Sequence, residues 1–128
     1  MKVIISIPAY NEEKTLPHVL KEIKEVMEDK KIKDKSYHYQ ILVLNDGSKD
    51  KTIEVAKAGG AIVVSNRRNL GLAQTFKTEM KECLKLKADI IVHTDADGQY
   101  PAKHIPELIE KVREGNDLIL GSRFKGKI

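Results

Sequence analysis

Two aspartates, Asp95 and Asp97, stand one residue apart in "IIVHTDADGQYP" (90–101), directly after an apolar run. Like charges this close repel, and an adjacent cation relieves them. Hard divalent ions such as Mg²⁺ or Mn²⁺ take one or two carboxylates and fill the remaining positions with water and ligand phosphate oxygens. Asp97 and the Gln99 amide suit such an ion, with Asp95 assisting or taking a ribose hydroxyl. The plain alternative is a solvated Asp-Gly turn, and for a lone D-x-D that is the commoner case.

Other motifs fit less well. Counted from Asp95, the positions where a calcium loop needs its Gly and its Glu hold Tyr100 and Pro106. Phosphatases of the haloacid dehalogenase type carry D-x-D-G, but on a first strand and with Thr next. Here the motif follows a later strand and Gln99 comes after Gly98. Neither a G-x-G-x-x-G fingerprint nor a P-loop occurs.

Three further segments carry ligand chemistry. In "NDGSKD" (45–50) Asp46 suits a ribose hydroxyl or a base N–H, and a simple turn explains it equally well. In "PAYNEE" (8–13) Tyr10 can lie against a base and Glu12 can accept from it, although an early Glu also favours a helix N-terminus. Arg123 in "GSRF" (121–124) suits a diphosphate, or solvent. The four histidines lack metal spacing, and His93, inside a strand, reads as packed and hydrogen-bonded. Cys83 is the only cysteine, which excludes an internal disulfide and a cysteine zinc cluster and suits a reducing compartment. It shares a helical pattern with Phe76 and Met80 and reads as core.

The elements that must position these loops alternate in period. Apolar runs at 2–7, 39–44, 61–65, 89–94 and 117–122 read as strands, the first buried on both faces and the second likewise buried. Between them, apolar residues at Leu16, Val19, Leu20, Ile23, Val26 and Met27 recur at helical spacing, with Thr15 as N-cap and Pro17 in the first turn. Further helices are expected at 52–58, 72–86 and 103–114, with Gly59, Gly60 and Gly115 as stops. Such alternation predicts an α/β fold: three layers, α/β/α, around a mostly parallel sheet. Ligands then bind at the carboxyl ends of the strands, and each unusual loop lies at such an end.

At 128 residues the chain fits a single domain over 1–128. Its charge of +4 is spread out rather than clustered, which argues against nucleic acid and suits an anionic ligand or membrane surface. No signal peptide is evident, and no apolar run approaches the ~20 residues of a membrane span.

Taken in order, "IPAYNEE", "VLNDGSKDKT", "NRRNLGLAQTF", "TDADGQYP" and "LGSRF" resemble the family 2 glycosyltransferases of GT-A fold, and most of all the polyprenyl-phosphate (dolichol-phosphate) sugar transferases. The resemblance covers almost the whole chain. It implies inverting transfer from a nucleotide sugar, GDP-mannose or a UDP-sugar, to an acceptor such as polyprenyl phosphate at a membrane surface, with Mg²⁺ or Mn²⁺. It places Pro8, Tyr10, Glu12 and Asp46 at the nucleoside, Asp95, Asp97 and Gln99 at the metal and diphosphate, and Arg123 near the donor. The first acid of the family's D-D-G-S is Asn45 here. Family domains usually run to ~200 residues or more, so the chain is expected to be the donor-binding part, truncated at its C-terminus, with surface free for self-association. A cytoplasmic setting, peripheral to the membrane, is implied. A nucleotide-sugar-binding module without turnover and a phosphatase remain the alternatives.

Overall fold

The computed structural model describes residues 1–29, 37–98 and 101–114. The expected strand at 117–122, and with it Arg123, lies outside these residues, as does Gln99. The apolar runs form β1 (Lys2–Ala9), β2 (His38–Asp46), β3 (Ile62–Asn66) and β4 (Ile90–His93). They make one parallel sheet in the order β3-β2-β1-β4. Ile4, Ile5 and Ile7 of β1 and Leu42, Val43 and Leu44 of β2 are all fully buried. The two central strands are therefore covered on both faces, which is why their sequences run continuously apolar.

Between the strands lie α1 (Leu16–Met27), α2 (Thr52–Ala58) and α3 (Leu72–Lys85). A 3-10 turn (Ala102–His104) leads into α4 (Ile105–Arg113) after β4. The chain steps from β1 to β2 to β3 in one direction, then returns past β1 to β4. Right-handed crossovers put α1 and α2 on one face and α3 on the other. Alternate strand residues divide accordingly. Val3, Ile5, Ile7, Ile90 and Val92 join Leu20, Ile23, Ala56, Ile105 and Ile109 in the larger core. Ile4 and Leu42 join Cys83 in a smaller one.

Two details depart from the sequence pattern. Thr15 holds the N-cap position of α1 but its side chain does not cap the helix. Its hydroxyl instead reaches Glu12 Oε2 at 2.8 Å and the Ala96 carbonyl at 2.9 Å, tying the loop after β1 to the loop after β4. On α3 the buried residues are Thr75, Glu79 and Cys83. Cys83 is core, as expected, but Phe76 is 45% exposed. Its ring meets the His93 ring edge-on at 5.5 Å. The helix is turned so that Glu79, not Phe76, points at the sheet.

Candidate functional site

The strand order reverses between β1 and β4, and loops at the carboxyl ends of β1, β2, β3 and β4 surround a cleft there. Its volume is about 340 Å³ and it is lined by Pro8, Tyr10, Glu12, Asp46, Asn69, Gly71, Leu72, Thr75, Asp95 and Asp97, among others. Every described site residue expected from the sequence therefore faces the same space. That volume lies within the range typical of small-molecule sites. Tyr10 is 44% exposed, a ring offered to the cleft rather than spent in the core.

The loops are stitched together by side chains that bind backbone amides. Asn11 takes a left-handed conformation, φ 52°. Its own N–H donates to Ser48 Oγ at 2.9 Å, and its Oδ1 accepts from the Lys49 N–H at 2.8 Å. The Glu12 N–H donates to Thr52 Oγ1 at 2.9 Å, and the Glu13 N–H to Asp50 Oδ2 at 3.3 Å. Asp50 Oδ1 also accepts from the Thr52 N–H, 2.9 Å, at the start of α2. Burial raises the Asp50 pKa, but the Thr52 hydroxyl and the Thr52 and Glu13 amides outweigh it and hold the group below its ordinary value.

Asp46 organises the turn after β3. Its Oδ1 accepts from Asn66 Nδ2 at 2.8 Å and from the Leu70 N–H at 2.9 Å, and its Oδ2 from the Gly71 N–H at 3.2 Å. Burial pushes its pKa up. The Leu70 amide, Asn66, Thr75 and the Gly71 amide together pull it further down, leaving it below the ordinary carboxylate value. Because the folded pKa is depressed, the stability from these bonds is present above the unfolded pKa. It is lost as pH falls through the folded one. Asn66, Thr75 and the 70–71 amides were not evident as partners in the sequence. A short polar cluster, "SNRRN", was the only signal.

Asp95 is half-buried and Asp97 exposed, and both line the cleft. Among the described residues, no three His, Cys, Asp or Glu side chains gather as a metal site. Two carboxylates are too few to cage a hard cation but suit one shared with the oxygens of a bound diphosphate. The residues present thus fit a Mg²⁺ or Mn²⁺ ion that binds together with a nucleotide.

Behind this edge, His93 Nδ1 lies 2.9 Å from Glu79 Oε2. Burial lowers the imidazole pKa, but the hydrogen bond and charge of Glu79, with Asp95 nearby, outweigh that and raise it. The Cys83 thiol is pushed up to about 11, chiefly by burial, as suits a packed thiol rather than a nucleophile.

The sequence profile described as "Glycosyl transferase family 2" matches residues 4–128. The chain belongs to glycosyl transferase family 2. It is 37% identical over 127 residues to the uncharacterized protein MJ1222 of Methanocaldococcus jannaschii, covering 98% of this chain and 48% of that protein. It is 32% identical over 128 residues to the dolichol-phosphate mannosyltransferase of Pyrococcus furiosus, covering 97% and 34% respectively. The chain thus spans about half or less of the length of these relatives. Among solved structures, the mannosyltransferase PcManGT of Pyrobaculum calidifontis, in complex with GDP-Man and Mn²⁺, superposes with a TM-score of 0.69 at 20% identity. That overlap covers 91% of this chain and 33% of that one. At that identity the likeness concerns the fold, which is the GT-A arrangement.

In this family 2 chain Asn45 replaces the first acid of D-D-G-S. It is 2% exposed. Its Oδ1 accepts from the Ser48 N–H at 3.1 Å and its Nδ2 donates to Ser65 Oγ at 3.3 Å. The amide oxygen closes the turn and its nitrogen ties β2 to β3, so Asn45 serves the frame behind the cleft rather than its lining.

Proposed function

We propose that this chain binds the donor for a metal-dependent, inverting glycosyl transfer from a nucleoside-diphosphate sugar, GDP- or UDP-linked, to polyprenyl phosphate. The observation that carries the proposal is the convergence of Pro8, Tyr10, Glu12, Asp46, Asp95 and Asp97, from three separate loops, on one cleft. Support for donor and metal comes from the GDP-Man and Mn²⁺ in PcManGT. Support for a lipid-phosphate acceptor comes from the name of the Pyrococcus relative.

Tyr10 lies against the base, with Glu12 and Asp46 toward the nucleoside. Asp95 and Asp97, together with Gln99, hold the divalent ion. Bound there, such an ion offsets the charge that develops on a departing diphosphate. Arg123 assists at the same diphosphate by charge-assisted hydrogen bonds. A lipid phosphate is already ionised near neutral pH, so transfer to it needs no general base. None of the helices among the described residues is long and apolar enough to cross a membrane; a polyprenyl-phosphate acceptor would be met at a membrane surface.

Calorimetry with GDP-, UDP- and dTDP-sugars, with and without Mn²⁺, tests the donor assignment. One donor class is expected to bind more tightly with Mn²⁺, and no binding to any of them would refute it. Because the chain spans about half or less of its relatives' length, we expect the 128-residue chain to transfer sugar to polyprenyl phosphate far below ~1 s⁻¹, the low end of ordinary enzymes. A radiolabelled-sugar assay measures this, and turnover near that rate would show that residues 1–128 suffice for catalysis.

Asp46→Ala is expected to weaken nucleotide binding with or without metal by roughly 1.5–3 kcal/mol, the worth of a hydrogen bond to a charged group. It should also lower the denaturation midpoint, because the Leu70 and Gly71 amides lose their acceptor. Unchanged affinity in the folded variant would remove Asp46 from the nucleoside site.

A further inference from the structure

On the far face of the sheet from α1, Glu79 is completely buried. Its Oε2 accepts from Ser6 Oγ at 2.5 Å and meets His93 Nδ1 at 2.9 Å. Its Oε1, also buried, has no hydrogen-bond partner among the described residues. A buried carboxylate is a poor source of stability, since an apolar residue of similar volume often serves as well or better. Nor is the trio a nucleophilic site, because the Ser6 hydroxyl is fully buried and donates to the carboxylate.

What the trio does is join three elements just beneath the cleft. Ser6 and His93 are register partners on β1 and β4, and the Thr94 N–H donates to the Ser6 carbonyl at 3.0 Å in the next step. Pro8 on β1 and Tyr10 in the loop after it follow on one side, and Asp95 and Asp97 in the loop after β4 on the other. On α3, Glu79 sits one turn after Thr75, and the turn that leads into α3 carries the amides that hold Asp46. The helix buries no large apolar side chain against the sheet, so hydrophobic packing leaves its rotation loosely specified. Directional bonds from Glu79 specify it instead.

We propose that Glu79 is a positioning residue for the donor cleft. By holding Ser6 and His93 it fixes the seat of α3, and so the spacing between the turn that holds Asp46 and the loop of Asp95 and Asp97. The proposal rests on the donor assignment made above.

The test uses the 128-residue chain and its variants Glu79→Leu and Glu79→Gln. Leucine keeps much of the volume and removes both bonds, whereas glutamine keeps an oxygen that accepts from Ser6 and meets His93. Affinity for GDP and UDP with Mn²⁺ is measured by calorimetry, and the folded fraction by urea denaturation. E79L is expected to remain folded yet bind nucleotide at least tenfold more weakly than the parent, while E79Q stays within about threefold. A role in stability alone would shift denaturation midpoints and leave the affinity of folded protein unchanged. Folded E79L binding within twofold of the parent would overturn the proposal, and so would E79Q failing as badly as E79L. If E79L does not fold, Ser6→Ala replaces it, with at least a threefold loss expected and parental affinity overturning the proposal. A parent chain that binds no nucleotide removes the donor assignment itself, and the positioning role with it.

Discussion

Alanine at Gly47 is expected to cost about 3 kcal/mol of stability or more. Gly47 has φ 74°, a left-handed conformation that an L side chain adopts only with strain. A Cβ there would lie 2.3 Å from the Arg68 carbonyl carbon, 2.4 Å from the Asn69 nitrogen and 2.7 Å from the Arg68 Cα. All three atoms are backbone, so no side-chain rotation relieves the overlap. Conformational strain of ~1–3 kcal/mol and overpacking of similar size add here. The turn that must give way is the one whose next amides hold Asp46. Nucleotide affinity of the remaining folded protein should therefore fall as well. Urea denaturation measures the loss, with Gly71→Ala as the comparison. Gly71 also has positive φ, 90°, but nothing lies within 4 Å of its Cβ direction, so it should lose only the backbone strain, ~1–3 kcal/mol. Equal losses at the two positions would show that the close approach of the loops after β2 and β3 contributes nothing.

Removing Asp97 should have the largest effect on binding. Asp97→Ala takes away one of the two carboxylates at the cleft edge and leaves a single one for the cation. About a hundredfold loss of metal-assisted affinity for a nucleoside diphosphate is expected, or ~2.8 kcal/mol at 1.4 kcal/mol per tenfold. The denaturation midpoint should change little, because Asp97 is exposed. Affinity without metal should stay the same or rise, since one negative charge near the diphosphate is gone. Calorimetry with and without Mn²⁺ separates these effects. Parental affinity in the presence of metal would exclude Asp97 as a ligand.

The central strands β1 and β2 were legible because burial on both faces writes itself as unbroken apolar runs, and α1 because its five buried residues follow one stripe. The cleft was legible because parallel topology sends the carboxyl-end loops to one edge. α3 was harder to read. Phe76 and Met80 resemble the buried face of an amphipathic helix, whereas Glu79 in a lysine-rich stretch resembles its surface. The deciding partners, Ser6 and His93, lie 73 and 14 residues away along the chain. A signal was nevertheless present: a Ser and a His sit within otherwise apolar strands. Neighbouring polar residues inside a sheet need a polar partner above them. The bonds of Asp46 were hidden for a different reason, because two of its donors are main-chain amides, which carry no mark in the sequence.

That use of amides bears on which substitutions the cleft can tolerate. Most stitches between loops join a specific side chain to a group that every residue except proline possesses. Asn11, Asp46, Ser48, Asp50 and Thr52 supply the side-chain half, while Glu13, Lys49 and Leu70 supply only an N–H. The second set can change identity without breaking a stitch, so long as no proline enters. The surface character of the cleft rim, its charge at Glu13 and Lys49 and its apolarity at Leu70, can thus drift from one descendant to another while the frame beneath it is inherited intact.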